Sequence, residues 1–226
     1  MKGRLSFVGC LVLIRVSAGL AYELSHVCVE SWSGTGPNQV LLVVDFWPQN
    51  GAADSFAFGC RFSASQMTGL QLLDAIEAGD PDFSYAQSGG FVTDIWYVKG
   101  ATEYHAGYNW PASYWSYWLS DDFGQSWEYS PYGPGSRILH DGDTDGWLAK
   151  PGNDWDSVPV TPLLGDMNCD GMLDGFDVQP FVLALTDPAA YELLWPDCHA
   201  DRGDIDGSGS VDGFDIQPFV ALLVGL

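Results

Sequence analysis

Basic residues are scarce in this sequence. The 226 residues include 8 lysines and arginines against 30 aspartates and glutamates, which gives a formal net charge of −22 at pH 7. Nucleic acids and anionic membrane surfaces bind basic patches, so the composition argues against both as partners. Apolar residues make up 46% of the chain, which is enough for a packed core. We therefore expect a folded, strongly acidic protein, or one that collects cations.

The signatures of common enzyme classes are also missing. The sequence has no G-x-S-x-G, no H-E-x-x-H and no phosphate-binding glycine loop before a helix. Its four histidines lie far apart and lack the spacing of metal ligands. Two acidic residues could still serve as the acid and base of a small glycoside hydrolase, which stays an alternative. Our expectation is a protein without catalytic residues.

The apolar run at the N-terminus is too short to span a bilayer. It follows the positive residues Lys2 and Arg4 and ends near the small residues Gly19-Leu20-Ala21. This pattern is typical of a cleaved signal peptide and predicts one over residues 1–21. We expect a secreted protein, extracellular or at the cell surface, with no membrane span after cleavage.

Few cysteines remain once that peptide is removed: Cys28, Cys60, Cys169 and Cys198. An even number in a secreted chain suggests disulfides, with three possible connectivities. Positions along the chain favour the local pairs Cys28–Cys60 and Cys169–Cys198. Each pair would close a loop of about 30 residues and stabilise the fold by roughly 3–4 kcal/mol. Free buried thiols are the alternative, which an oxidising compartment disfavours.

Residues 22–149 are rich in aromatic residues and in short β-like runs, and they contain one helix pattern. Thr68 is a candidate N-cap, and Leu72, Leu73 and Ile76 follow with the spacing of one helix face. Strands with a single helix predict an α+β fold. The candidate strands are 40–47, 91–98, 114–119 and 126–130. Proline, glycine and aspartate then mark residues 150–162 as a linker.

The C-terminal segment, residues 163–226, contains an internal duplication. Twelve of 21 positions from Gly165 onward match those from Gly203 onward, including the string QPFV. Each copy fits a twelve-residue EF-hand loop, which supplies oxygen ligands at positions 1, 3, 5, 7, 9 and 12 and glycine at position 6. We call them loop 1 (residues 166–177) and loop 2 (residues 204–215). Alternating short carboxylates around a glycine turn suit Ca²⁺, a hard cation that takes six to eight oxygens.

Two Ca²⁺ sites are therefore predicted. The candidate ligands of loop 1 are Asp166, Asn168, Asp170, the Met172 carbonyl, Asp174 and Asp177. Those of loop 2 are Asp204, Asp206, Ser208, the Ser210 carbonyl, Asp212 and Asp215. Position 12 is aspartate in both loops, where EF-hand sensors carry the longer glutamate.

A helix pattern beginning near a proline follows each loop, and no good helix pattern precedes one. A duplicated loop followed by one helix, with aspartate at position 12, resembles the dockerin type I family. The resemblance implies a small all-α domain with two calcium sites that docks to a cohesin-like module on another protein. It also implies that positions 10 and 11 of each loop begin the recognition face. Those residues are Gly175, Phe176, Gly213 and Phe214; filling a small core is the alternative role for both phenylalanines.

The aromatic region is similar, less specifically, to the β-grasp-like domain that ends transcobalamin and intrinsic factor. The matching strings are VLLVVDF, TGLQLLDAI, GGFVTDI, YWSYWLSDDFGQSWEYSPYG and LHDGDTDGW. A polysaccharide-binding role stays open, because aromatic faces suit sugar rings; packing inside the fold is the competing role for the run from Tyr114 to Tyr129. The acidic string at residues 140–146 imitates a calcium loop, but Gly152 would stand at position 12, which favours a plain turn.

Overall fold

The computed structural model describes residues 23–47, 54–196 and 198–225, so the predicted signal peptide lies outside the described residues. The fold is mixed α/β and mostly sheet. The strands are β1 (Val29–Gly34), β2 (Asn38–Asp45), β3 (Ser55–Phe62), β4 (Met67–Thr68), β5 (Phe83–Ser88), β6 (Phe91–Lys99), β7 (Thr102–Gly107), β8 (Tyr114–Ser120), β9 (Glu128–Tyr129), β10 (Ile138–Leu139) and β11 (Thr144–Lys150). The helices are α1 (Gly69–Gly79), α2 (Val178–Thr186), α3 (Pro188–Leu194) and α4 (Ile216–Val224), with 3₁₀ helices at Leu24–His26 and Ala200–Gly203.

Six strands form the main sheet, in the order β1-β3-β2-β11-β8-β9. β2 lies at its centre, antiparallel to β3 and parallel to β11. Its residues from Val40 to Asp45 are all buried, as expected for a strand covered on both faces. The predicted strands at 40–47, 91–98, 114–119 and 126–130 all coincide with β-strands, although the last is reduced to the two residues of β9.

Helix α1 begins where the sequence predicts. The Thr68 hydroxyl accepts from the Gln71 backbone N–H, and the Gln71 side chain accepts from the Thr68 N–H, which completes a capping box. Leu72, Leu73 and Ile76 are fully buried. They share the principal core with β2, β3 and the three-stranded sheet β5-β6-β7, so the helix and the smaller sheet both cover the main sheet.

A second core lies in the C-terminal segment. The rings of Phe181 on α2 and Phe219 on α4 stack with centroids 4.0 Å apart, which joins the two repeats. Tyr191 on α3 is buried beside them, and its hydroxyl donates to the Met167 carbonyl. Helices follow both loops, as predicted. Within the described part of the chain, no helix combines the length and hydrophobicity needed to cross a bilayer.

The C-terminal segment packs against the sheet region. Val27 and Leu163 form an antiparallel β-bridge, flanked by bonds from Cys28 N to Pro162 O and from Leu164 N to His26 O. An ion pair of 2.6 Å joins Lys99 on β6 to Asp201. The Tyr104 hydroxyl on β7 lies 3.1 Å from His199 Nε2.

Residues 151–162, the predicted linker after Lys150, form neither helix nor strand and also lie on the sheet region. Val160 N donates to the buried Asp45 carboxylate, and the Thr161 hydroxyl donates to Gly124 O. These bonds hold the segment in place over the end of β2.

The cysteines follow one of the two predicted pairings. Cys169 and Cys198 form the expected disulfide, which links loop 1 to the segment that precedes loop 2. The Cys28–Cys60 prediction is wrong, because both are free thiols. β1 and β3 are parallel and pair Val29 with Ala57, which leaves Cys28 and Cys60 about four residues apart along neighbouring strands, or ~13 Å. A disulfide needs Cα atoms within about 7 Å.

Candidate metal centres

The position-12 carboxylate organises each loop through its backbone. In loop 1, Asp177 Oδ1 accepts from the N–H groups of Met167 and Asn168 at 2.8 and 3.2 Å, and Oδ2 accepts from Asp174 N at 2.8 Å. Asp177 is also the N-cap of α2. The short side chain therefore reaches back to the loop amides from the first turn of the helix, which accommodates aspartate where longer glutamate is usual.

Loop 2 repeats this arrangement. Asp215 Oδ1 accepts from Ile205 N and Asp206 N at 2.8 and 3.0 Å, and Oδ2 accepts from Asp212 N at 2.8 Å. Asp215 is the N-cap of α4. The two copies thus share a backbone scaffold as well as a sequence pattern.

Position 1 closes each turn on the glycine at position 6. Asp166 Oδ2 accepts from Gly171 N at 3.1 Å, and Asp204 Oδ2 accepts from Gly209 N at 2.7 Å. Gly171 and Gly209 have φ of +81° and +88°, which only glycine adopts at little cost. The sharp turn that the sequence predicts at position 6 is therefore present in both loops.

The candidate ligands of loop 2 converge. Asp204, Asp206 and Asp215 each present one carboxylate oxygen within 4.8 Å of the others, the single group of this kind among the described residues. The Ser208 hydroxyl lies 3.5 Å from Asp204 Oδ1 and 3.3 Å from the Ser210 carbonyl. These candidate ligand atoms are all oxygens, which suits a hard divalent cation.

Loop 1 is more buried than loop 2, and hydrogen bonds link two of its candidate ligands. Asn168 and Asp170 bond each other through side chain and backbone at 3.0 Å. The Asp170 carboxylate also accepts from Met172 N. Asp166 is completely buried, and its Oδ1 has no hydrogen-bond partner in the described part of the chain. An orphaned carboxylate oxygen inside a loop of oxygen donors fits a bound cation, since burial without a partner is costly.

Burial also perturbs the acids of loop 1. Desolvation raises the pKa of Asp166 to about 7 and that of Asp177 to about 6, although Arg202 opposes the shift at Asp166 and backbone N–H groups oppose it at Asp177. Both carboxyl groups therefore ionise at higher pH than usual. A cation in the loop would favour their charged forms.

The residues expected to begin a recognition face lie on the surface. Phe176 and Phe214 are 75% and 78% exposed, so neither fills the small core. Phe181 and Phe219 fill it instead, each 2% exposed. Gly175 and Gly213 precede the exposed phenylalanines, and a Cβ added to either would touch nothing within 4 Å.

The acids also hold the exposed phenylalanines in place. Phe176 N donates to Asp174 Oδ1 at 2.7 Å, and Phe214 N donates to Asp212 Oδ1 at 2.8 Å. The candidate ligand at position 9 therefore also fixes the backbone of the exposed aromatic residue at position 11.

The aromatic region buries three of its six predicted sugar-stacking residues and leaves Tyr114 and Trp127 half-buried. Trp115, Tyr117 and Trp118 on β8 are buried, and Tyr117 donates to the buried carboxylate of Asp145. Tyr129 stays exposed. The acidic string at 140–146 leads into β11 as a turn, in which Asp143 accepts from His140 N.

Sequence reasoning missed Arg202. It lies in the 3₁₀ helix Ala200–Gly203, immediately before loop 2, and its side chain is 2% exposed. The guanidinium Nη1 lies 3.4 Å from Asp166 Oδ2, at position 1 of the other loop. An arginine between Asp201 and Gly203 in an acidic stretch carries no periodic signal, so only the folded chain reveals this contact.

Comparison with known proteins adds no relative: no protein-family model, curated protein or solved structure matches the chain.

Proposed function

We propose that this chain is a secreted, non-catalytic attachment protein that grips a partner through a calcium-dependent, dockerin-like C-terminal module. The observation that carries the proposal is the repeated loop scaffold. In both copies the position-12 carboxylate accepts the N–H groups of positions 2, 3 and 9, and the position-1 carboxylate accepts that of position 6. In this proposal residues 163–226 act as a small all-α unit, beside a β-grasp-like unit at residues 22–149.

The candidate ligands would hold one Ca²⁺ in each loop through carboxylate, amide, hydroxyl and carbonyl oxygens. A bound ion would supply positive charge that relieves repulsion among four aspartates per loop. The orphaned oxygen of Asp166 and the converging carboxylates of Asp204, Asp206 and Asp215 support this role.

Metal binding and partner binding are linked through position 9. Asp174 and Asp212 are candidate ligands, and their carboxylates also accept the N–H groups of Phe176 and Phe214. An ion that fixes these carboxylates would therefore also fix the backbone that carries the two exposed rings. A pair of exposed aromatic side chains at equivalent sites of a duplicated unit suits an apolar pocket on a cohesin-like partner.

Calcium titration by calorimetry tests the metal half of the proposal. The full chain, first stripped with a chelator, should release or absorb heat with two equivalents of Ca²⁺ and should melt at higher temperature once loaded. A flat titration with an unchanged melting temperature in millimolar CaCl₂ would refute it.

Partner capture tests the other half. Phe176→Asp with Phe214→Asp should abolish calcium-dependent retention on an immobilised cohesin-like module, while Ca²⁺ binding persists. Phe91→Asp is the matched control, since Phe91 is 78% exposed and begins β6, the strand whose other end, Lys99, pairs with Asp201. Equal loss in both variants would contradict a specific docking face, as would retention that survives chelation.

Polysaccharide binding is the second candidate function, and Trp110 favours it. Its indole ring lies on Gly152, where an added Cβ would come within 2.4–2.9 Å of three ring atoms, yet the side chain stays 54% exposed. The Tyr114 ring meets it edge-on at 5.5 Å. A ring held on one face and open on the other is suited to stacking on a sugar. Trp110→Ala should then abolish retention on insoluble polysaccharides, and unchanged retention would exclude this site.

A further inference from the structure

The two loops differ in one buried, positively charged side chain, that of Arg202. Each loop contains four aspartates among its candidate ligands, so their formal charges are equal. Arg202 Nη1, however, lies 3.4 Å from Asp166 Oδ2 of loop 1, and both side chains are almost completely buried. Arginine stays protonated in proteins, so this positive charge is permanent. Asp204, the equivalent of Asp166 in loop 2, has backbone N–H partners and no salt bridge among the described residues.

The arginine also ties the two repeats together. Gly165 N donates to the Arg202 carbonyl at 2.7 Å, and the Cys169–Cys198 disulfide links the same two segments of the chain. Arg202 Nη2 has no hydrogen-bond partner within the described part of the chain. The Arg202 side chain is only 2% exposed, so the guanidinium lies out of contact with bulk water. A charge held there is poorly screened by salt, because it is out of solvent.

We propose that Arg202 makes the two calcium sites unequal: loop 2 binds Ca²⁺ first, and loop 1 binds it at least tenfold more weakly. In loop 1 the resident guanidinium already neutralises part of the acidic cluster and repels an incoming divalent ion. The same contact holds loop 1 folded without metal, whereas loop 2 depends on the ion. This inference rests on the proposed calcium function and adds the order in which the sites fill.

Blocking one site at a time measures the order directly without altering Arg202. Asp177→Asn weakens loop 1 and Asp215→Asn weakens loop 2, and each change is isosteric at the same loop position. Calorimetry on the full chain should give the tighter dissociation constant with Asp177→Asn, which leaves loop 2, and a value at least tenfold weaker with Asp215→Asn. Equal affinities, or the reverse order, would overturn the inference while leaving calcium binding intact. Absence of binding in wild type would instead defeat the proposed function.

Replacing the arginine tests its charge. In the Asp215→Asn background, Arg202→Met should tighten Ca²⁺ binding to loop 1 about tenfold, whereas Arg202→Lys, which keeps the charge, should not. In the Asp177→Asn background, Arg202→Met should leave loop 2 within threefold. No tightening with the methionine variant, in a chain that keeps its circular dichroism, would refute the role of charge.

Hydrogen exchange gives a readout that needs neither metal nor a variant. In chelator, the Gly171 and Asp174 amides of loop 1 should exchange more slowly than the equivalent Gly209 and Asp212 amides of loop 2. Equal or reversed protection would refute the claim that Arg202 holds loop 1 folded without calcium, even if Arg202→Met fails to fold.

Discussion

Phe181→Ala should destabilise the C-terminal segment by about 3–5 kcal/mol, the range for removing a buried phenylalanine. The Phe181 side chain is 2% exposed and stacks on Phe219 at 4.0 Å, so the change removes the aromatic contact between the two repeats. Units below about 70–80 residues gain only a few kcal/mol from one core. The loss is therefore comparable with the whole stability that this second core provides.

Hydrogen exchange resolved to peptides from α2 and α4 measures this effect, together with urea unfolding of the full chain. Phe176→Ala is the matched control: it removes the same ring five residues earlier, from a side chain that is 75% exposed. We expect it to change the free energy of unfolding by no more than about 0.5 kcal/mol. Similar losses of protection in both variants would refute the assignment of Phe181 to the core and Phe176 to the surface. Saturating Ca²⁺ should restore part of the protection lost in Phe181→Ala, because ligands that bind the folded state stabilise it.

Three other perturbations have defined outcomes. Burial, followed by the charge of Lys99, lowers the pKa of His199 to about 4, below the unfolded value of about 6.5. The contribution of His199 to stability should therefore be lost as pH falls from 6.5 to 4. His199→Gln should flatten that part of a stability-versus-pH curve, and an unchanged slope would contradict this. Replacing Cys169 and Cys198 by serine opens a link of 29 residues and should cost about 3–4 kcal/mol in urea unfolding; a loss below 1 kcal/mol would argue against it. Chelation should lower the first melting transition, assigned to residues 163–226, and leave that of the aromatic region in place; a single shared transition would refute this.

Local chemistry made much of the fold predictable. The α1 start follows from a threonine and a glutamine three residues apart, and the central strand β2 follows from an unbroken apolar run. The loops follow from alternating acids around a glycine, a pattern that depends on spacing alone. All of these are interactions between residues close in sequence.

The missed features depend on pairings between distant segments. The Cys28–Cys60 prediction used separation along the chain, whereas the parallel register of β1 and β3 decides the distance. The packing of residues 199–202 on β6 and β7 joins side chains about 100 positions apart. The burial of Arg202 could not be predicted either, because an isolated arginine in an acidic stretch has the sequence properties of a surface residue.

The short antiparallel bridge between Val27 and Leu163 has a mechanical consequence. Backbone bonds on either side of it join the start of the sheet region to the start of the C-terminal segment. If a partner binds the loops and a pulling force acts on the rest of the molecule, the bridge transmits that force to β1, the edge strand of the large sheet. The sheet region would then keep a fixed orientation relative to the bound C-terminal segment, which a flexible linker would not impose.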